Sequence, residues 1–113
     1  MSERETPVSI STHVLDAVTG RPAAGLELVL GRRVGGVWHE LAHRATDADG
    51  RVTDLASHVE AGVYRIVFET EAYLTIETFY PQVVVMFRVT DPAAHHHVPL
   101  LLSPFAYSTY RGA

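Results

Sequence analysis

The 113-residue chain carries nine arginines and no lysine against thirteen acidic residues, a net charge of −4. That balance argues against a nucleic-acid partner, which would call for a basic face. The chain has no cysteine, which excludes disulfides, thiolate nucleophiles, CxxC redox pairs and cysteine-based zinc sites.

A chain of this size hides roughly 65% of the surface it would expose unfolded, enough for one core without covalent staples. Its opening residues, Met1 to Pro7, are polar and lack the apolar stretch of a signal peptide. Residues 1–8 are expected to form a flexible extension. Ser9–Val18 is the first strand-like run. Leu26–Val34 alternates, with Leu26, Leu28 and Leu30 on one face and Glu27 on the other. Val37–Thr46 and Val52–Leu55 follow as further strands. Val63–Glu69 places Tyr64, Ile66 and Phe68 opposite Val63, Arg65, Val67 and Glu69, so both faces have groups to bury. The segment Glu69–Thr78 then breaks the period of two and allows a helix of about two turns. Val83–Val89, His96–Leu102 and Ala106–Tyr110 complete about eight strands.

Turn signals at Thr19–Gly25, Gly35–Gly36, Asp47–Gly50, Glu60–Gly62 and Asp91–Pro92 separate these runs. The pattern predicts an all-β, two-sheet β-sandwich of about eight strands with one short helix. Without repeats or linkers, residues 1–113 are expected to form a single domain. The longest apolar run, Val83–Phe87, is far too short to span a bilayer. A soluble cytoplasmic protein with no membrane partner is the resulting expectation.

Several residues carry chemistry. In a strand, His95 and His97 share a face about 6.6 Å apart, while His96 points the other way. Such a pair suits a zinc site only with a third donor, which nothing in the sequence fixes. Solvated imidazoles at a strand end are the plainer reading. His13 shares its face with Ser11, Leu15 and Ala17, where a lone histidine is more often a hydrogen-bonded core or rim residue than a catalyst. Arg51 follows the Asp47–Gly50 turn, and most such arginines are solvated. His39, His43 and His58 read as surface residues without an identifiable partner.

The C-terminal stretch is richer. A strand as aromatic as Phe105–Tyr110 either docks onto its own sheet or builds a subunit interface. Tyr110 and Arg111 combine a stacking ring with a planar fork of N–H donors, a pairing suited to flat, polar, conjugated ligands. There is no GxSxG elbow, phosphate-binding glycine loop or HExxH helix. An enzyme built on this chain would therefore use water as nucleophile, handled by histidine.

Five segments, in order, carry a resemblance: STHVLDAVTGRPA (Ser11–Ala23), TDADGR (Thr46–Arg51), YRIVFET (Tyr64–Thr70), FYPQVVVMF (Phe79–Phe87) and HVPLLLSPFAYSTYRG (His97–Gly112). They resemble the transthyretin-related family, and more specifically its 5-hydroxyisourate hydrolases of purine breakdown. The closing Tyr110-Arg111-Gly112 is the most specific element, since it separates those hydrolases from the hormone-carrying transthyretins. The resemblance implies a sandwich of two four-stranded sheets and a homotetramer with a central channel between dimers. It implies His13, Arg51 and His97 as a catalytic trio at the channel mouth. Tyr110, Arg111, Gly112 and Ala113 would form a tail folded into the substrate site, with His95 in a weaker binding role. The implied substrate is a small purine-derived molecule, 5-hydroxyisourate, opened at a ring amide to 2-oxo-4-hydroxy-4-carboxy-5-ureidoimidazoline, and no metal or organic cofactor is required.

There is one departure. The family pattern runs on from glycine to serine, where this chain has Ala113. Loss of that hydroxyl is expected to reduce the rate without abolishing it. Two rival readings stand beside the hydrolase. One is a non-catalytic transthyretin-like carrier of a small aromatic ligand; the other is a metal-binding sandwich built on His95 and His97. The polar set His13, Arg51, His97 and Arg111 weighs against the carrier, whose channel would be apolar.

Overall fold

Alternation of apolar and polar residues dictates most of the architecture. In a computed structural model that describes residues 8–113, it yields β1 (Val8–Asp16), β2 (Arg21–Pro22), β3 (Glu27–Val34), β4 (Val37–Ala45) and β5 (Arg51–Ser57). These are followed by β6 (Gly62–Phe68), a helical turn α1 (Thr70–Tyr73), β7 (Val83–Val89), β8 (His96–Ser103) and β9 (Ala106–Thr109). The expected extension over residues 1–8 lies outside the described residues, except for Val8, which already pairs with Ser57 in β1.

Among the described residues all eight expected strands form. The ninth, β2, is a two-residue strand folded back on the end of β1, with Arg21 opposite Asp16. Two residues are too few to carry a period-two signal, so it was not legible beforehand. The helix is one turn rather than about two. Leu74 donates its N–H to the Thr70 carbonyl (2.9 Å) and then turns extended. Glu71 N–H and the Thr70 hydroxyl are meanwhile tied to the carbonyls of Pro81 and Tyr80, which draws the following chain back along the turn.

One sheet runs β4-β3-β6-β7; the other runs β2-β1-β8-β9, with β5 also paired to β1. The second sheet therefore has five strands, one more than the resemblance implies. All pairings are antiparallel except β1 with β8. Between the sheets lie Ile10, Val14, Leu100 and Leu102 on one side and Leu28, Leu30, Ile66 and Phe68 on the other, all fully buried. Each such side chain contributes about 1.5–3 kcal/mol relative to an exposed one. Because the even-numbered residues of β1 and β8 face this core, the odd-numbered ones, including Ser11, His13 and His97, face outward.

Polar ties fix the ends. Asp16 is buried; its Oδ1 accepts the N–H groups of Val18 and Thr19, and its Oδ2 accepts the Tyr73 hydroxyl at 3.1 Å. Burial, then the bond to the Asp16 carboxylate and its charge, raise the Tyr73 phenol above its ordinary value. That bond anchors α1 to the five-stranded sheet.

The entry to β5 hangs on Gly50. Val14 donates to the Gly50 carbonyl at 2.7 Å, and Gly50 has φ of 73°. A side chain there would run into the Val14 carbonyl oxygen and lie 3.0 Å from Pro22 Cβ. Gly50→Ala should therefore destabilise the fold by about 2 kcal/mol or more. That is a drop in melting temperature of on the order of 10 °C. An unchanged melting curve would contradict this account of the turn.

Candidate active site

The outer face of the five-stranded sheet gathers side chains from three neighbouring strands. Parallel pairing sets Ser11 of β1 beside His97 of β8, and antiparallel pairing sets His13 of β1 beside Arg51 of β5. His95, two residues before His97, joins the same face. Arg51 reaches it because the Asp47–Gly50 turn ends there: Asp47 Oδ1 accepts the Arg51 N–H at 2.9 Å.

Ser11 lies at the centre, only 6% exposed. Its hydroxyl is 2.9 Å from His95 Nε2 and 2.8 Å from His97 Nδ1. The two imidazoles stand nearly parallel, 16° apart in plane with centroids at 6.4 Å. Sequence reading placed Ser11 on the face of His13 but gave it no role. The alternation carried that signal, yet the partner strand was unknown.

The tail closes the site from the β8 side. After β9 the chain turns so that Gly112 donates its N–H to the His97 carbonyl at 2.8 Å. A Cβ at Gly112 would be 2.6 Å from His97 Cδ2 and 3.2 Å from Cγ, so only glycine lets the tail lie against the ring. Ala113 then joins Ser11, Arg51, Thr53, His95 and His97 around an open pocket of about 380 Å³. Thr53, two residues beyond Arg51 on the same face, was also not singled out from sequence.

The electrostatics are as informative as the geometry. Burial first, then the positive charge of Arg51 and the neighbouring His95 and His13, hold the His97 imidazole below its ordinary value. These surroundings favour the neutral imidazole, the form that can accept a proton.

Not every residue of the expected site converges. Tyr110 and Arg111 contribute to the wall of a different cavity of about 220 Å³, between β7 and the β8–β9 pair, alongside Met86, Phe87 and His96. His96 points inward there, 4% exposed, and its Nδ1 has no hydrogen-bond partner among the described residues. Tyr110 and Arg111 thus line one cavity and Ala113 the other, while His97 borders both. His39, His43 and His58 are exposed as expected. His43 nevertheless has a partner, Glu27 at 3.0 Å, because the two lie diagonally across the β3–β4 pairing. Among the described residues, no group of three or more His, Asp or Glu side chains is placed to hold a metal ion.

With this geometry in hand, comparison with known proteins is decisive for kinship. Residues 10–112 match the HIUase/Transthyretin family. The chain belongs to that family. A 5-hydroxyisourate hydrolase of Salmonella dublin is 42% identical over 92% of this chain and 80% of its own length. A Klebsiella pneumoniae 5-hydroxyisourate hydrolase superposes with a TM-score of 0.83 at 35% identity, over 93% of this chain and 99% of that one. Sea bream transthyretin in complex with thyroxine superposes with a TM-score of 0.87, also at 35% identity, over 92% of this chain and 94% of its own. Likeness of fold therefore does not separate hydrolase from carrier within the family; the chemistry of the site must.

The His97 assignment has a direct check. Its imidazole, followed by NMR titration, should have a pKa below ~6.5. Arg51→Gln should move it upward by removing a neighbouring positive charge. A His97 that titrates at or above that value in the folded protein would contradict the electrostatic account.

Proposed function

We propose that this chain hydrolyses 5-hydroxyisourate to 2-oxo-4-hydroxy-4-carboxy-5-ureidoimidazoline, as part of urate breakdown. The observation that carries this reading is the placement of His97, held between Ser11 and Gly112 and sharing a pocket with Arg51. Membership of a family whose relatives bear the hydrolase name supports it.

The reaction needs a water to lose a proton as it attacks a ring carbonyl, and a stabiliser for the oxyanion that forms. His97, with His13 beside Arg51 on the same face, supplies the proton acceptor at working pH. Arg51 holds the flat ring and faces the developing negative charge, a role worth on the order of 3 kcal/mol. As the tetrahedral intermediate collapses, the amide C–N bond breaks. The carbonyl becomes a carboxylate, and the nitrogen takes a proton and leaves as the end of a ureido group. Gly112 and Ala113 bound the pocket on the tail side. None of these steps draws on a metal or organic cofactor.

The assembly we propose is a homotetramer. β7 and β9 end their respective sheets along one side of the sandwich. They present Val84, Met86, Tyr107 and, just beyond β9, Tyr110, all exposed large hydrophobics. Unpaired edges with such side chains favour pairing with a second copy. The active-site pocket opens on the sheet face, where a second pair of subunits would close it. No helix among the described residues is long and apolar enough to cross a membrane. The absence of cysteine fits a cytoplasmic setting.

The carrier reading rests on fold alone. A channel for a hydrophobic hormone has no use for an arginine and two imidazoles on its wall.

The test is to generate 5-hydroxyisourate in situ from urate with urate oxidase and follow its ultraviolet decay. The protein should accelerate decay well beyond the spontaneous rate. His97→Asn should cost about 10²- to 10⁴-fold in kcat while leaving the tetramer intact, and Ala113→Ser should raise kcat. Decay at the spontaneous rate, from folded wild-type tetramer, would overturn the hydrolase reading.

A further inference from the structure

Ser11 bridges two imidazoles with one hydroxyl, and a hydroxyl has one proton to donate. It can donate to only one of the two rings, and when it donates to one and accepts from the other the tautomers of His95 and His97 are coupled. Two such arrangements satisfy the distances. In one, His97 donates Nδ1–H to Ser11 Oγ and Ser11 donates O–H to His95 Nε2. In the other, every donor and acceptor is reversed, and His97 then carries its proton on Nε2.

The surroundings choose between them. His97 Nδ1 is taken by Ser11 and its Cδ2 edge lies on Gly112, which leaves the Nε2 end of the ring toward the pocket shared with Arg51. A guanidinium favours a lone pair facing it over an N–H. The first arrangement is therefore the resting one, and it leaves Nε2 able to accept a proton.

We propose that His97, Ser11 and His95 form a proton relay, in which Ser11 passes the positive charge generated at His97 outward to His95. The inference rests on the hydrolase reading for its kinetics, while its tautomer assignment stands on geometry alone. As water attacks, one water O–H bond breaks and His97 Nε2–H forms. The His97 Nδ1–H bond breaks as Ser11 Oγ takes that proton, and the original Ser11 hydroxyl proton passes to His95 Nε2. His97 ends neutral, Ser11 unchanged and His95 as imidazolium. The same steps in reverse return a proton from His95 through Ser11 to His97 Nδ1, and His97 Nε2–H then gives its proton to the leaving nitrogen.

The physical gain is in where the charge rests. An imidazolium at His97 would be half-buried beside Arg51 and His13, the surroundings that already oppose its protonation. His95 is exposed, so the same charge there is solvated. Ser11 touches both imidazoles and acts on the substrate only through His97.

The experiment combines imidazole ¹⁵N NMR on the free protein with kinetics of Ser11→Ala, His95→Gln and the double variant. In the wild type both His95 and His97 should be Nδ1–H tautomers, and Ser11→Ala should leave His97 a mixture. Each single variant should lower kcat by about 10- to 100-fold with KM little changed, less than loss of the base itself. The double variant should be no worse than either single one, because the three groups act as a unit. The solvent-isotope proton inventory should be curved in the wild type and straight in Ser11→Ala. A wild-type His97 protonated on Nε2, losses that multiply in the double variant, a straight wild-type inventory, or His95→Gln acting through KM would each overturn the relay. Wild-type protein with the expected tautomers but no turnover would overturn the hydrolase reading, and the relay with it, leaving Ser11 a structural bridge only.

Discussion

The parallel pairing of β1 with β8 is the constraint on which the rest of this molecule depends. It joins residues more than eighty positions apart in a register that sets Ile10 beside His96 and Ser11 beside His97. Side chains alternate across a strand, so a slip of one residue would send every outward group to the core face. Such a slip is opposed from both sides of the sheet. On the inner face, Ile10, Val14, Leu100 and Leu102 are fully buried. The equally buried Thr12 donates its hydroxyl to the Val98 carbonyl at 2.6 Å. The packing of the core thereby fixes the spacing of the imidazoles on the opposite face.

The site built on that register is unusual in how little of it is loop. His13, Arg51 and His97 all lie within strands, and Arg51 is the first residue of its strand. Rigid elements hold catalytic groups more closely than loops do. The irregular piece is the tail, which is held by a backbone bond to His97 and by a glycine that admits no side chain. The tail also runs between the cavity that His96 lines and the outer pocket of Arg51 and Ala113, with His97 bordering both.

Much of this was legible in the sequence, for reasons particular to each element. Alternation in Leu26–Leu30 and Tyr64–Phe68 fixed which faces are buried, because period two is a local property. The opposite orientation of His96 to His95 and His97 followed from the same rule. Residues of the trio were picked out by resemblance, since spacing alone left His13 and Arg51 as ordinary rim and surface groups. The centrality of Ser11 was not legible, because it arises from pairing across the fold and not from neighbours in the chain. The close approach of Gly112 to the His97 ring likewise depends on tertiary contact. The separate lodging of Tyr110 and Arg111, away from the pocket that Ala113 lines, came only with the path of the tail.

The central claim is that a flat oxidised purine is held on the outer face of the five-stranded sheet, between Arg51 and the tail. A crystal structure of the protein with urate, the stable parent ring, tests this most directly. The account predicts urate in the pocket of Arg51, Thr53, His97 and Ala113, with the guanidinium on a ring oxygen and His97 Nε2 facing the ring. Urate found instead in the inner cavity beside His96, with the outer pocket holding only water, would contradict it.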